Sequence, residues 1–197
     1  TAELEQEYSE PPHEDLHHRL GILRQQIDRC KEALSVISAS AGAGRAEAGH
    51  RMQVRNYLDE VMSEWQQQRV DASLGATIDS TSPPCEIIAE RTLTQALVNL
   101  LNNAADASPA DVALDASWTA DNLKLDISDR GPGLAADMFT RLGKTLVSTK
   151  PEGMGVGLYL AQATIDRLGG QLSVNNRRHG GTIVRITLPL LPAHKQG

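Results

Sequence analysis

Between Leu16 and Ile37 the residues Leu16, Leu20, Leu23, Ile27, Cys30, Leu34 and Ile37 succeed one another at spacings of 4, 3, 4, 3, 4 and 3. This strict alternation is the 3.5-residue repeat of helices that pack on one another, narrower than the stripe of a helix lying on a globular core. At ~1.5 Å per residue the segment is roughly 32 Å long, and the short stretch around it cannot cover such a seam. A partner helix is implied. Homodimerisation through the helix over 14–38 supplies one most simply, and packing on the chain's own larger domain is the alternative. Ahead of the seam, Thr1 to Tyr8 reads as a short polar helical tail, and Ser9-Glu10-Pro11-Pro12 as the turn that starts the long helix.

The run from Ala39 to Gly49 holds only small residues besides Arg45 and Glu47, so neither apolar period continues and a boundary falls near residue 45. The chain divides into a helical segment over 1–45 and a larger domain over 46–197. In the latter the pattern predicts a helix over 56–70, a strand over 73–80, a turn at Pro83-Pro84 and a helix over 90–107. Strands follow at 112–118 and 123–129. A glycine-rich region from Gly131 to Gly157 leads into a helix ending near Leu168, and two closing strands at 172–175 and 182–188 flank the Gly180-Gly181 turn. Hairpins mixed with single helices favour an α/β sandwich, with helices on one face of a largely antiparallel sheet, over a doubly wound parallel sheet.

Composition removes several functions. With 25 acidic and 19 basic side chains the net charge is −6, which excludes affinity won by neutralising a nucleic-acid backbone, and six aromatics cannot form a base-stacking platform. Nucleic acid is therefore not an expected partner. Cys30 and Cys85 stand far apart in no metal-like spacing, which points to a reducing compartment, and no apolar run reaches the length of a membrane span.

On the helix over 90–107, Leu93, Leu97, Leu100, Leu101 and Ala104 share one side at ~100° per residue, and this is the core side. Asn99, Asn103 and Asp106, spaced 4 and 3, share the other. The stripe is either a solvated face or a metal face. Asn is a weak helix former where solvated faces usually carry Glu, Lys and Arg, and amide and carboxylate oxygens suit a hard cation such as Mg2+.

Asp129-Arg130-Gly131-Pro132-Gly133 follows a strand that ends in a carboxylate, and Gly131 and Gly133 let a ligand approach the backbone. Asp129 either accepts a hydrogen bond from an exocyclic amine or caps a tight turn. Further on, Gly153-Met154-Gly155-Val156-Gly157-Leu158 opens a helix whose free N–H groups and positive dipole end suit a phosphate. The intervening stretch, with Lys144, Ser148, Thr149 and Lys150, has the length and polarity of a lid over a polyphosphate. Three look-alikes fail. Gly143-Lys144-Thr145 is not the end of a P-loop, because the first glycine would fall at Met138 and no strand leads into it. The Gly153 run lacks the spacing and the βαβ context of a dinucleotide fingerprint. His13-Glu14-Asp15-Leu16-His17 matches H-E-x-x-H, but the downstream carboxylates on the helix, Asp28 and Glu32, are about 16 Å and about 22 Å along the axis from His17 and cannot complete a zinc site.

Taken in order, Asn99-Leu100-Leu101-Asn102-Asn103-Ala104, Asp129-Arg130-Gly131-Pro132-Gly133, Ser148-Thr149-Lys150, Gly153-Met154-Gly155-Val156-Gly157-Leu158 and Gly180-Gly181-Thr182 resemble the N, G1, F, G2 and G3 boxes of sensor histidine kinases. The resemblance implies a truncated helical dimerisation hairpin followed by a Bergerat-type ATP-binding α/β sandwich with a mixed, largely antiparallel sheet. It places ATP and Mg2+ between the asparagine helix and the lid. Asn103 would bind Mg2+, Asn99 would assist at the phosphates, and Asp129 would take the adenine amino group. Lys150 and the amides of Gly153, Gly155 and Gly157 would hold phosphates, and Gly131, Gly133, Thr149, Leu158 and Thr182 would complete the nucleotide site. Asp106 matches an acidic position of the related ATPases. The F box departs from the pattern, since Leu142 to Val147 stand where aromatics are usual and Phe139 is the only phenylalanine.

None of His13, His17, His18, His50, His179 and His194 stands in an H box, so the resemblance puts the phosphoacceptor histidine upstream of residue 1. Gln26-Ile27-Asp28-Arg29-Cys30-Lys31 resembles the redox box of the RegB/PrrB/RoxS group, with Cys30 at the redox position. Two Cys30 side chains could meet across a dimer axis; alternatively the residue fills a hole in the seam. The implied protein is a redox-sensing kinase of the bacterial inner membrane, with a response regulator as partner and this part in the cytoplasm. The rivals are an ATP hydrolase of the gyrase, MutL or Hsp90 type, and a nonenzymatic nucleotide-sensing dimerisation module.

Overall fold

A computed structural model describes residues 49–79, 81–135 and 156–190. Its elements are β1 (His50–Gln53), α1 (Val54–Gln68), β2 (Leu74–Ile78), β3 (Glu86–Ala89), α2 (Arg91–Ala107), β4 (Val112–Trp118), β5 (Asn122–Ser128), α3 (Val156–Arg167), β6 (Gln171–Asn176) and β7 (Thr182–Pro189). Five strands form a mixed sheet in the order β2-β4-β5-β7-β6, with β2 and β4 parallel and the other neighbours antiparallel. The α/β sandwich expected from the pattern is thus the fold observed.

Alternation makes the sheet one-sided. Val112, Leu114, Ala116 and Trp118 of β4 and Leu123, Leu125 and Ile127 of β5 are buried, while Asp115, Lys124 and Arg185 face solvent on the other side. The outer face is polar, and Arg185 Nε meets Asp126 Oδ2 there at 3.2 Å. Helix α2 packs on β4 and β5 and lies against both α1 and α3. Its burial is wider than one stripe for that reason: Ala96, Val98 and Ala105 are buried in addition to Leu93, Leu97, Leu100, Leu101 and Ala104.

A two-stranded antiparallel ribbon, β1 with β3, is an element that the pattern did not show, in register from His50↔Ala89 to Gln53↔Glu86. Neither four-residue strand alternates clearly, and each gains its ladder only from the other. The ribbon leads straight into α1, where the Val54 N–H donates to the Cys85 carbonyl at 2.9 Å. Helix α1 starts and ends two residues earlier than expected, because Arg69 closes it with an N–H bond to the Trp65 carbonyl. The seam helix over 14–38, the boundary near 45 and Cys30 lie outside the described residues.

Candidate functional site

Asp129 stands one residue past β5 and is only 5% exposed. Its N–H donates to the Thr182 carbonyl at 3.1 Å, which extends the β5–β7 ladder by one step. One carboxylate oxygen, Oδ1, accepts the N–H groups of Gly131 at 2.8 Å and Thr182 at 3.1 Å. The other, Oδ2, has no partner among the described residues. Since no fully enclosed side-chain oxygen or nitrogen among them is left unpaired, Oδ2 is open to a solute. A buried carboxylate fixed on one side and open on the other can accept a hydrogen bond from a ligand N–H.

Glycine is required at two places here. Gly181 has φ +88°, and a Cβ would lie 2.1 Å from the Asp129 carbonyl oxygen, so the β6–β7 turn can touch Asp129 only without a side chain. At Gly131 a Cβ would lie 2.8 Å from the Ala107 Cβ, which shows how closely the loop after Asp129 rests on the end of α2.

The asparagine stripe meets the start of α3. A Cβ on Gly157 would lie 3.7 Å from Asn103 Nδ2 and 3.8 Å from Asn99 Cβ, so backbone and amides are neighbours. Asn103 is exposed, and the half-buried Asn99 accepts from Gln95 Nε2 at 3.0 Å. Ala107 lies four residues beyond Asn103, so α2 carries the stripe at one level and the Gly131 contact about one turn on, about 6 Å along its axis. Thr182 is held against Asp129, and Leu158 is half-buried at the start of α3. Asp106, one turn on from Asn103, accepts from Arg69 Nη1 through its Oδ1 at 2.9 Å, and Arg69 also meets Asp71. Thr149, Lys150, Gly153 and Gly155 lie outside the described residues.

Sequence patterning missed two contributors. Arg177 donates to the Asp129 carbonyl at 2.8 Å, and the Asn176 amide bonds both backbone groups of Leu134. Their one available signal was their place beside the Gly180-Gly181 turn. A separate cleft of about 490 Å³ between α1 and α2, lined by His50, Tyr57, Glu60, Glu64, Arg91 and Gln95 among others, contains none of the residues expected to bind nucleotide or metal. Among the described residues no cluster of three His, Cys, Asp or Glu side chains is arranged to hold a metal, and no helix is long and apolar enough to cross a membrane.

Residues 88–192, more than half of the chain, match the family described as histidine kinase-, DNA gyrase B- and HSP90-like ATPase. Sensor histidine kinase RegB of Cereibacter sphaeroides is 28% identical over 193 residues, covering 89% of this chain and 40% of that protein. Sensor protein KdpD of Escherichia coli is 35% identical over 99 residues, 47% of this chain and 11% of its own length. Among solved structures, full-length ShkA in complex with AMPPNP aligns with a TM-score of 0.70 at 22% identity, over 90% of this chain and 39% of that one. The mycobacterial sensor histidine kinase MprB aligns with a TM-score of 0.58 at 23% identity, over 73% of this chain and all of that one. At these identities the structural likeness speaks for the fold. The chain belongs to the histidine kinase-, DNA gyrase B- and HSP90-like ATPase family and carries the ATP-binding catalytic domain of sensor histidine kinases.

Proposed function

We propose that this chain is the catalytic part of a two-component sensor histidine kinase. It transfers the γ-phosphoryl group of ATP to a histidine of the dimerisation helices, from which an aspartate of a response regulator receives it. One observation carries the reading: Asp129 is buried with one oxygen held by two backbone N–H groups and the other open, on a loop that α2 joins to the Asn99–Asn103 stripe and the start of α3.

In this reading the adenine amino group donates to Asp129 Oδ2, and the phosphates lie along Asn99, Asn103 and the first turn of α3. Thr149, Lys150, Gly153 and Gly155 hold phosphates, Leu158 stands in that first turn of α3, and Gly131, Gly133 and Thr182 shape the base end. Asp106, paired with Arg69 further along α2, contributes its acidic side chain to the same nucleotide site. The donors fit Mg2+: Asn103 offers a hard amide oxygen, and the described residues have no competing cluster of softer ligands. When bound, Mg2+ neutralises charge on the phosphates. The chain's own residues then supply alignment, which is most of what phosphoryl transfer asks of a protein.

The amide of Asn99 has no basicity with which to activate water. Net hydrolysis should therefore be slow, which separates this reading from an ATP hydrolase. Similarity to RegB supports a finer version, in which residues 1–45 belong to a dimerisation domain, the 14–38 helix pairs with its own copy, and Cys30 responds to oxidation. The whole protein then sits in the bacterial inner membrane with this part in the cytoplasm.

The test combines this chain with Mg2+-ATP and a separately prepared helical hairpin bearing the acceptor histidine. Acid-labile phosphate should appear on the hairpin and Asn103→Ala should abolish it; transfer undiminished by that change rejects the metal role. No binding heat and no thermal stabilisation with saturating ATP would reject the reading as a whole. For Cys30, oxidised protein on a nonreducing gel should show a dimer that Cys30→Ala removes.

A further inference from the structure

Both ends of the loop from Asp129 to Leu134 are held by one hairpin tip. At the start, Arg177 Nη1 donates to the Asp129 carbonyl at 2.8 Å, while the Thr182 N–H holds Asp129 Oδ1 at 3.1 Å. At the end, Asn176 uses both atoms of its amide. Its Oδ1 accepts the Leu134 N–H and its Nδ2 donates to the Leu134 carbonyl, each at 2.8 Å. The two pins are rigidly related: Asn176 pairs with Thr182 across the β6–β7 ladder, and the Arg177 N–H donates to the Gly181 carbonyl at 2.9 Å.

A side-chain amide that satisfies both backbone groups of one residue reproduces a strand pairing where there is no strand. Gly133, with φ +78°, lies so close to it that a Cβ would come within 2.9 Å of Asn176 Oδ1. Loops rich in glycine are costly to order, and this one is fastened at each end by a side chain that contributes nothing to the hydrophobic core. What the fastening fixes is the aim of Asp129, whose open oxygen can discriminate bases only if it does not move. Adenine offers an amino N–H to such an oxygen, whereas guanine offers a carbonyl oxygen that it repels.

We propose that Asn176 and Arg177 are positioning residues for base selection, holding the 129–134 loop so that Asp129 prefers adenine to guanine. The inference rests on the adenine reading of Asp129 given above.

The test measures ATP and GTP affinities of this chain by calorimetry with Mg2+, together with the melting temperature without nucleotide. Asn176→Ala and Arg177→Ala should each weaken ATP binding about 5- to 20-fold while GTP binding changes less than about twofold, so that the ATP/GTP ratio narrows. The melting temperature should fall by less than about 3 °C. Arg177→Lys, which keeps a donor, should recover ATP binding to within about threefold. Asn176→Asp should not, because its second oxygen would face the Leu134 carbonyl; should an alanine variant fail to fold, the ratio measured on this variant decides for Asn176 and that of Arg177→Gln for Arg177. An unchanged ATP/GTP ratio, whether affinities hold or fall together, overturns the proposal. Asp129→Asn separates the two levels. If it leaves ATP affinity intact, the adenine reading fails and this inference with it; if it removes ATP binding while the ratio survives in the position-176 and position-177 variants, only the positioning role fails.

Discussion

Trp65 donates its indole N–H to Asn102 Oδ1 at 3.0 Å, joining a fully buried aromatic of α1 to the flank of α2. Of the three asparagines in the motif, Asn102 is thus occupied in holding two helices together, while Asn99 and Asn103 lie against Gly157. Removing the amide leaves a buried donor without a partner. Asn102→Ala should cost about 1–3 kcal/mol, seen as a lower urea midpoint, with ATP affinity within twofold of the parent. A loss of ATP binding as large as that of Asn103→Ala would move Asn102 into the nucleotide site.

Gly181→Ala should be among the most damaging single changes in the catalytic domain. The new Cβ meets a backbone carbonyl rather than a flexible side chain, and φ +88° is strained for any other residue. Overpacking and the left-handed backbone together cost about 2–5 kcal/mol. Thermal unfolding should show a large drop, with ATP binding impaired even below the transition because Asp129 is displaced. A melting temperature unchanged within a degree would contradict the contact.

Burial drives the Tyr57 phenol well above its ordinary value of about 10, and the nearby Glu64 and Glu90 carboxylates act in the same direction against its 3.3 Å bond with Thr94. The folded state therefore keeps this proton at a pH where the unfolded chain has released it. Stability contributed by neutral Tyr57 is complete below about pH 10 and is lost progressively above it. Urea midpoints between pH 9 and 11 should fall for the parent and fall less for Tyr57→Phe. Equal slopes in the two proteins would remove Tyr57 as the cause.

The Cys85 thiol is pushed up by burial and then by the Asp121 charge, and its Sγ donates to the Thr119 carbonyl at 3.5 Å. Little thiolate forms near neutral pH, so the residue should be a poor nucleophile. In a Cys30→Ala background, thiol titration of the native protein at pH 7.5 should be at least about 50-fold slower than after denaturation. Rapid native labelling would show that the pocket around Cys85 opens readily.

Much of the catalytic domain is legible in the sequence. The period-2 alternation of 112–118 is β4 to the residue, and the leucines assigned to the core side of the asparagine helix are all buried. The β1–β3 ribbon was not legible, because neither strand has a pattern of its own and the pairing joins segments separated by all of α1. Asp106 reads as a member of the asparagine stripe by its spacing, and the bond it receives from Arg69, at the end of another helix, has no signal in the sequence.

The sequence by itself determined the order of elements, the buried face of each, and the polar and glycine-rich boxes between them, because periodicity and backbone permissiveness are local properties. Tertiary structure alone decided which atoms of those boxes remain available. Asn102 is spent on Trp65, one oxygen of Asp129 is taken by Gly131 and Thr182, and the loop beyond is fastened by Asn176 and Arg177. Those partners come from distant parts of the chain, and hydrogen bonds between distant segments leave no periodic trace in a sequence.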